Sequence, residues 1–179
     1  ANGYLPLSPE SSQYQALIAA LQHLNQIQTH LQDVPNIRSA DIEADMKAIY
    51  ESEYLGKLLF SVVHLHDYLD QITQALAPLS QSQAVCGPPL NFLKQQFEAH
   101  YIKVLQPYMA RINKVAYQVL PLIHSLGVQS PINSPEWRAF IHQFDYQNSD
   151  SAWQAYLRAS REHGRAWSQI FAVCGESVG

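Results

Sequence analysis

Eight histidines stand in this 179-residue chain, at positions 23, 30, 64, 66, 100, 124, 142 and 163. Neutral imidazole is a common ligand for transition metals and for haem iron, so metal or haem binding is the first chemistry to weigh. Spacing narrows the field. His64 and His66 lie two residues apart, about 200° around a helix, so they do not share an ion without distortion. His66 falls beside Leu59, Val62 and Val63, and Asp70 follows one turn later, where a carboxylate can orient the ring. His66 with Asp70 is therefore the leading candidate ligand-binding pair, with His66 the candidate metal or haem ligand and His100 an alternative. The plainer reading is a boundary histidine with satisfied hydrogen bonds.

The stronger metal signatures are absent. There is no pair of Glu-x-x-His motifs, as a di-iron bundle requires, and no His-Glu-x-x-His. Neither Cys-x-x-Cys nor Cys-x-x-Cys-His occurs, so redox-pair, zinc-finger and covalent c-type haem readings have no support. The two cysteines, Cys86 and Cys174, admit two readings: one disulfide in an oxidising compartment, or two independent residues.

Polar groups on apolar stripes come next. Of the ten tyrosines, Tyr50, Tyr54, Tyr101 and Tyr108 fall on the core stripes of two helical segments. Buried phenols need partners. Hydroxyls converging with His66 or His100 would make either a ligand site or a network that fixes packing; Tyr54, Tyr101 and Tyr108 are the candidates. In the last helical segment Trp153 and Trp167 flank the small residues Ser160 and Gly164. That spacing admits a close helix neighbour or a pocket walled by indoles, with Trp167 a candidate lining residue. Arg158, Arg161 and Arg165 form a ridge at helical spacing on the same segment, suited to an anion or an acidic partner, or simply a solvated face.

Nucleophilic catalysis has no local signature: there is no Gly-x-Ser-x-Gly elbow and no Gly-rich phosphate loop. With 11 basic and 15 acidic residues, the formal charge of -4 argues against general nucleic-acid binding, which needs a basic face. At 47% hydrophobic and 15% charged, the chain is suited to folding rather than disorder. No apolar run reaches the roughly 18 residues of a membrane span, and no leader of the secretory kind is present. The chain begins at Ala1 rather than at methionine, which fits a cleaved leader as well as other trimming. Both a cytoplasmic and a secreted or periplasmic location stay open.

The elements that must position these residues are helices. Residues 1–8 read as an extended arm, and Ser8-Pro9-Glu10 as a helix start leading to about Gln32. From Ser39 a second segment carries Ile42, Met46, Tyr50, Tyr54, Leu58, Val62, Leu65, Leu69, Ile72 and Leu76 at steps of three or four. This is one long apolar helix that belongs inside a bundle. Pro88-Pro89 opens a third segment reaching Leu126 and stopping at Gly127. Pro107 and Pro121 interrupt it, each removing a donor and crowding the preceding turn, so it is kinked or broken; such kinks can leave room for a ligand. Ser134-Pro135-Glu136 starts a short helix to Phe144, and Asp150 caps a last one to about Val173.

The expectation is an all-α single domain over residues 1–179: an antiparallel bundle of four long helices, one Pro-kinked, plus one short helix. The leading functional expectation is a non-enzymatic binding or interaction protein that uses a helical face, or the groove between the second and last segments, for a protein partner. The alternatives are a haem- or metal-dependent oxidoreductase with a histidine ligand in the bundle core, and a carrier of a small apolar ligand in the kinked bundle.

Overall fold

A computed structural model describes residues 7–30, 38–130 and 134–177. The chain is all-α, with no strand among the described residues. Helix α1 spans Ser12–Thr29, α2 Ser39–Glu51, α3 Glu53–Leu76 and α4 Pro88–Gln96. A π-helical stretch, Phe97–Leu105, follows without a break and leads into α5, Gln106–Gln129; α6 is Pro135–Phe144 and α7 Ala152–Val173. Most of the expected N-terminal arm, and the end of the first segment at Leu31–Asn36, lie outside the described residues. Leu7 and Ser8 are within them: Leu7 is buried, and the Ser8 carbonyl accepts a hydrogen bond from the Tyr54 hydroxyl at 3.1 Å.

Serines set most helix starts. Ser11, Ser134 and Ser151 each cap a helix, accepting from the backbone N–H three residues on. Three expected helix starts shift by one to three residues. Ser8-Pro9 forms a turn ahead of the Ser11 cap, and Ser151, not Asp150, caps α7. Arg38 occupies the N-cap of α2, so Ser39 lies inside that helix.

The long second segment divides in two. Ser52 takes an extended backbone (φ −79°, ψ 107°) and caps α3 by accepting from the Tyr54 N–H at 3.2 Å. The bend removes α2 from the core, and no residue of α2 is buried. Tyr50, on the same apolar stripe as Tyr54, is 91% exposed, whereas Tyr54 is buried. The stripe was continuous in spacing, but a one-residue change of backbone direction redirects its first three members.

The third segment also departs from a single kinked helix. In an α-helix the Pro107 ring would collide with the carbonyl four residues back, and its missing N–H would leave that carbonyl unpaired. The preceding turns widen instead: the Gln106 N–H bonds to the Tyr101 carbonyl, five residues back. A π-turn spreads the carbonyls and accommodates the proline without ending the helix. Pro121 lies inside α5, which continues to Gln129. Gly127 is therefore helical rather than a stop. Its role is close approach: a Cβ there would lie 2.5 Å from Ile141 Cδ1 of α6. Gly87, at φ +88° before Pro88, is the position where a left-handed backbone calls for glycine.

Helix α3 is central, packing on α1, α5 and most extensively on α7. One core cluster joins α1, α3, α5, α6 and the first half of α7, around Leu17, Leu58, Val62, Ile112, Val119, Trp153 and Tyr156. A second cluster gathers at the other end of α7: Leu76, Val85, Leu90, Phe97, Trp167, Ile170 and Phe171. Cys86 and Cys174 pack against this second cluster and form a disulfide, with Cα atoms 5.4 Å apart and 88 residues between them in sequence. Of the two readings open in the sequence, the paired one holds. The bond ties the connection after α3 to the C-terminal end of α7. No helix among the described residues is long and apolar enough to cross a membrane.

Candidate functional site

The expected histidine pair does not form. His66 is half exposed, and its Nδ1 lies 3.2 Å from the carboxylate of its neighbour Asp67, not from Asp70. Asp70 accepts from the Gln74 side chain at 2.8 Å. The i,i+4 geometry serves Asp70 equally in both directions along the helix, and its carboxylate is taken up by Gln74 rather than by His66. His100 is exposed on the π-helical stretch. Among the described residues no group of three or more His, Cys, Asp or Glu side chains is arranged to hold a metal ion.

The buried histidine is His163, 2% exposed on α7. The Trp167 Nε1–H donates to its Nε2 at 3.0 Å. That nitrogen is therefore unprotonated, and the neutral ring carries its hydrogen on Nδ1. Nδ1 lies 3.1 Å from Thr73 Oγ1 of α3, and Thr73 in turn donates to the Leu69 carbonyl at 2.6 Å. Tyr101 packs on the ring at a centroid distance of 5.0 Å, and burial pushes the imidazole pKa below its ordinary value. Every donor and acceptor in the chain Trp167–His163–Thr73–Leu69 is matched. Neither ring nitrogen is free for a ligand, and the network seals the α3–α7 seam where a groove was expected. The glycine-to-tryptophan spacing on α7 thus serves close packing: Tyr101 Oη lies 3.8 Å from where a Cβ on Gly164 would stand.

The candidate tyrosines separate. Tyr54 and Tyr101 are held in the core, and burial raises both phenols above their usual range, so they stay protonated. Tyr156 is fully buried and donates to Asn113 Oδ1 at 2.9 Å. Of the candidate ligand residues, Tyr108 lines an open cavity. The arginine ridge is exposed as expected; Arg158 Nη1 donates to the Ser149 carbonyl at 2.6 Å.

That cavity is the candidate site. It has a volume of about 370 Å³ and lies between one face of α3 (Phe60, Ser61, His64, Leu65, Tyr68) and the facing residues Val104, Tyr108 and Arg111. On α3 the steps 61, 64, 65 and 68 make a single helical stripe; Val104, Tyr108 and Arg111 are spaced by four and three across the π-to-α junction. The widened turn before Pro107 carries Val104 at the rim, 62% exposed. Tyr68 is 64% and Phe60 47% exposed. His64 packs on Phe60 with ring centroids 3.8 Å apart.

The polar floor has a definite donor pattern. Ser61 Oγ donates to the Lys57 carbonyl at 2.7 Å, so at its 2.8 Å contact with Tyr108 the tyrosine is the donor. Both hydroxyl hydrogens are thereby committed. The Arg111 guanidinium lies 5.8 Å over the Tyr108 ring, a cation–π arrangement. Its Nε is covered from solvent and has no hydrogen-bond partner. No aspartate or glutamate among the described residues lines the cavity. Leaving a covered charged donor unmatched costs about 1–3 kcal/mol or more. Sequence reasoning missed Phe60, Tyr68 and Arg111. The available signal was Arg111 one turn beyond Tyr108 on a proline-interrupted apolar helix, facing the Ser61/His64 strip.

No curated protein and no solved structure matches the chain. Over residues 1–178 it matches, and so belongs to, the family described as a protein of unknown function, DUF3080.

Proposed function

We propose that this is a non-enzymatic binding protein whose groove between α3 and the π-helical/α5 junction receives a small ligand with an apolar body. The observation that carries this reading is the exposure of Phe60, Tyr68 and Val104 around one cavity of about 370 Å³. Aromatic side chains left at the rim of a concave, largely apolar surface are the usual form of a small-molecule site, whose volumes run from about 300 to 1,000 Å³. The cavity also sits where the proline-widened helix holds Val104 opposite α3, so its shape follows from backbone geometry rather than from a mobile loop.

The disulfide favours an oxidising compartment, secreted or periplasmic, over the cytoplasm, where thiols are kept reduced. The test of the groove uses a neutral apolar fluorophore, N-phenyl-1-naphthylamine. Saturable binding at one molecule per chain is expected. Val104→Asp, which sets a charge at the exposed rim without touching the core, should abolish it. Absence of binding to the native chain, or binding unchanged by Val104→Asp, would overturn the reading.

A further inference from the structure

We infer that the ligand of this groove is a single-chain carboxylate amphiphile, seated with its hydrocarbon between α3 and the π-helical stretch and its carboxylate on Arg111. The inference rests on the proposed groove and adds the chemistry of its head group.

Charge complementarity carries it. Among the described residues lining the cavity Arg111 is the one permanent cation, and none of them is acidic. Its guanidinium is positioned by the Tyr108 ring beneath it, yet it has no ion pair among the described residues. A guanidinium in this setting is an incomplete pair: its fork matches a carboxylate with two parallel N–H donors. The neighbouring hydroxyls cannot compete for that role, because the Ser61 and Tyr108 hydrogens are already given to the Lys57 carbonyl and to Ser61 Oγ. Both oxygens keep lone pairs, and among the described lining residues Arg111 alone donates with a permanent charge; the His64 ring, packed on Phe60, is the other N–H-bearing side chain. A neutral alcohol gains little there; an anion gains the missing counter-charge.

The rest of the lining is suited to a chain rather than to a sugar or a peptide. Phe60, Leu65, Tyr68 and Val104 present carbon along one direction, and the cavity is open at the surface, so a linear tail can lie along it with its end in solvent. A single cation calls for a single negative charge. The exposed ridge of Arg158, Arg161 and Arg165, by contrast, has no apolar companion and is suited to no particular ligand shape.

The experiment is displacement of bound N-phenyl-1-naphthylamine by decanoate, decanol and decyl phosphate, each below its aggregation limit. Decanoate should displace the dye at concentrations roughly tenfold or more below those of decanol, the size of one charge-assisted hydrogen bond. In Arg111→Met the two should become equivalent, each displacement being read against the dye affinity measured for that variant. Arg111→Lys, which keeps charge but not the fork, should retain part of the preference and serves if the methionine variant fails to fold. Equal displacement by decanoate and decanol in the native chain, or a preference that survives Arg111→Met, overturns the carboxylate assignment and leaves the groove reading intact. Tighter displacement by decyl phosphate than by decanoate replaces the proposed head group with a phosphate and also overturns it. Failure of the dye itself to bind removes both readings.

Discussion

Two polar centres lie on opposite sides of α3, and they are built differently. On the α7 side, Thr73, His163 and Trp167 pass hydrogen bonds along a closed chain in which nothing is left over. On the α5 side, Ser61 and Tyr108 are matched, but Arg111 keeps a covered, unmatched donor at the edge of an apolar cavity. A closed network in a sealed seam contributes rigidity and specificity. An open one beside exposed aromatics is kept at a cost to stability, which natural proteins tolerate where a site requires it. The histidine count drew attention to metal chemistry, but the chemistry of the molecule divides by satisfaction of hydrogen bonds, not by residue type.

The comparison is broken most severely at the closed side. Replacing Cys86 and Cys174 together by alanine frees an 88-residue separation in the unfolded chain. It should lower stability by about 2–5 kcal/mol, read by denaturant unfolding. At temperatures where the variant stays folded, its groove should still bind the dye. If the groove were lost with the disulfide, the two sides would not be separable.

The next largest effect belongs to His163. His163→Phe keeps the ring volume but removes both nitrogens, leaving the Trp167 N–H without its acceptor. A loss of about 1–3 kcal/mol is expected, with no change in dye affinity. The same histidine gives a pH signature. Its folded pKa lies below the ordinary value of 6.5 because burial disfavours the charged ring. The unfolded chain therefore binds the proton more readily. The stabilisation is fully present above about pH 6.5 and is lost as pH falls through the lower folded value. Denaturation followed from pH 7.5 downward should show this decline in the native chain, and a smaller one in His163→Phe. Identical pH curves for the two would show that the buried ring is not the titrating group.

The smallest effect is expected at the open side. Arg111→Met should change stability by no more than about 0.5 kcal/mol, or raise it, because an unpaired covered charge is exchanged for apolar surface of similar length. A loss of about 2 kcal/mol or more would make Arg111 a structural residue of the closed kind.

The fold class and the helix starts at Ser134 and near Asp150 were legible in the sequence, because capping residues and apolar periodicity are local. Ser52 and the π-helical stretch were not. The Ser52 break interrupts an unbroken apolar stripe, and only packing decides that Tyr54 goes in while Tyr50 stays out. Pro107 announced a disturbance; that it would be absorbed by five-residue hydrogen bonding, with Val104 held beside α3, depends on what faces the helix. Tyr108 was recognised as a candidate from its place on a stripe. Arg111 was not, since an arginine on a mostly apolar helix reads as solvated until its neighbours are known. His163 was passed over for the opposite reason: nothing in Arg161-Glu162-His163 suggests burial. The resolution lies in α7 presenting Ala159, His163, Ala166 and Trp167 to its neighbours while the arginines point away.

The central claim is that the Arg111 guanidinium lacks a counter-charge until an anionic amphiphile supplies one. Nitrogen-15 spectra of the arginine side chains, with Arg111 assigned through Arg111→Met, test it directly. On adding decanoate the Arg111 side-chain signal should move, while decanol leaves it in place and the signals of Arg158, Arg161 and Arg165 stay fixed. An Arg111 signal indifferent to decanoate, or a response confined to the α7 ridge, would contradict the account.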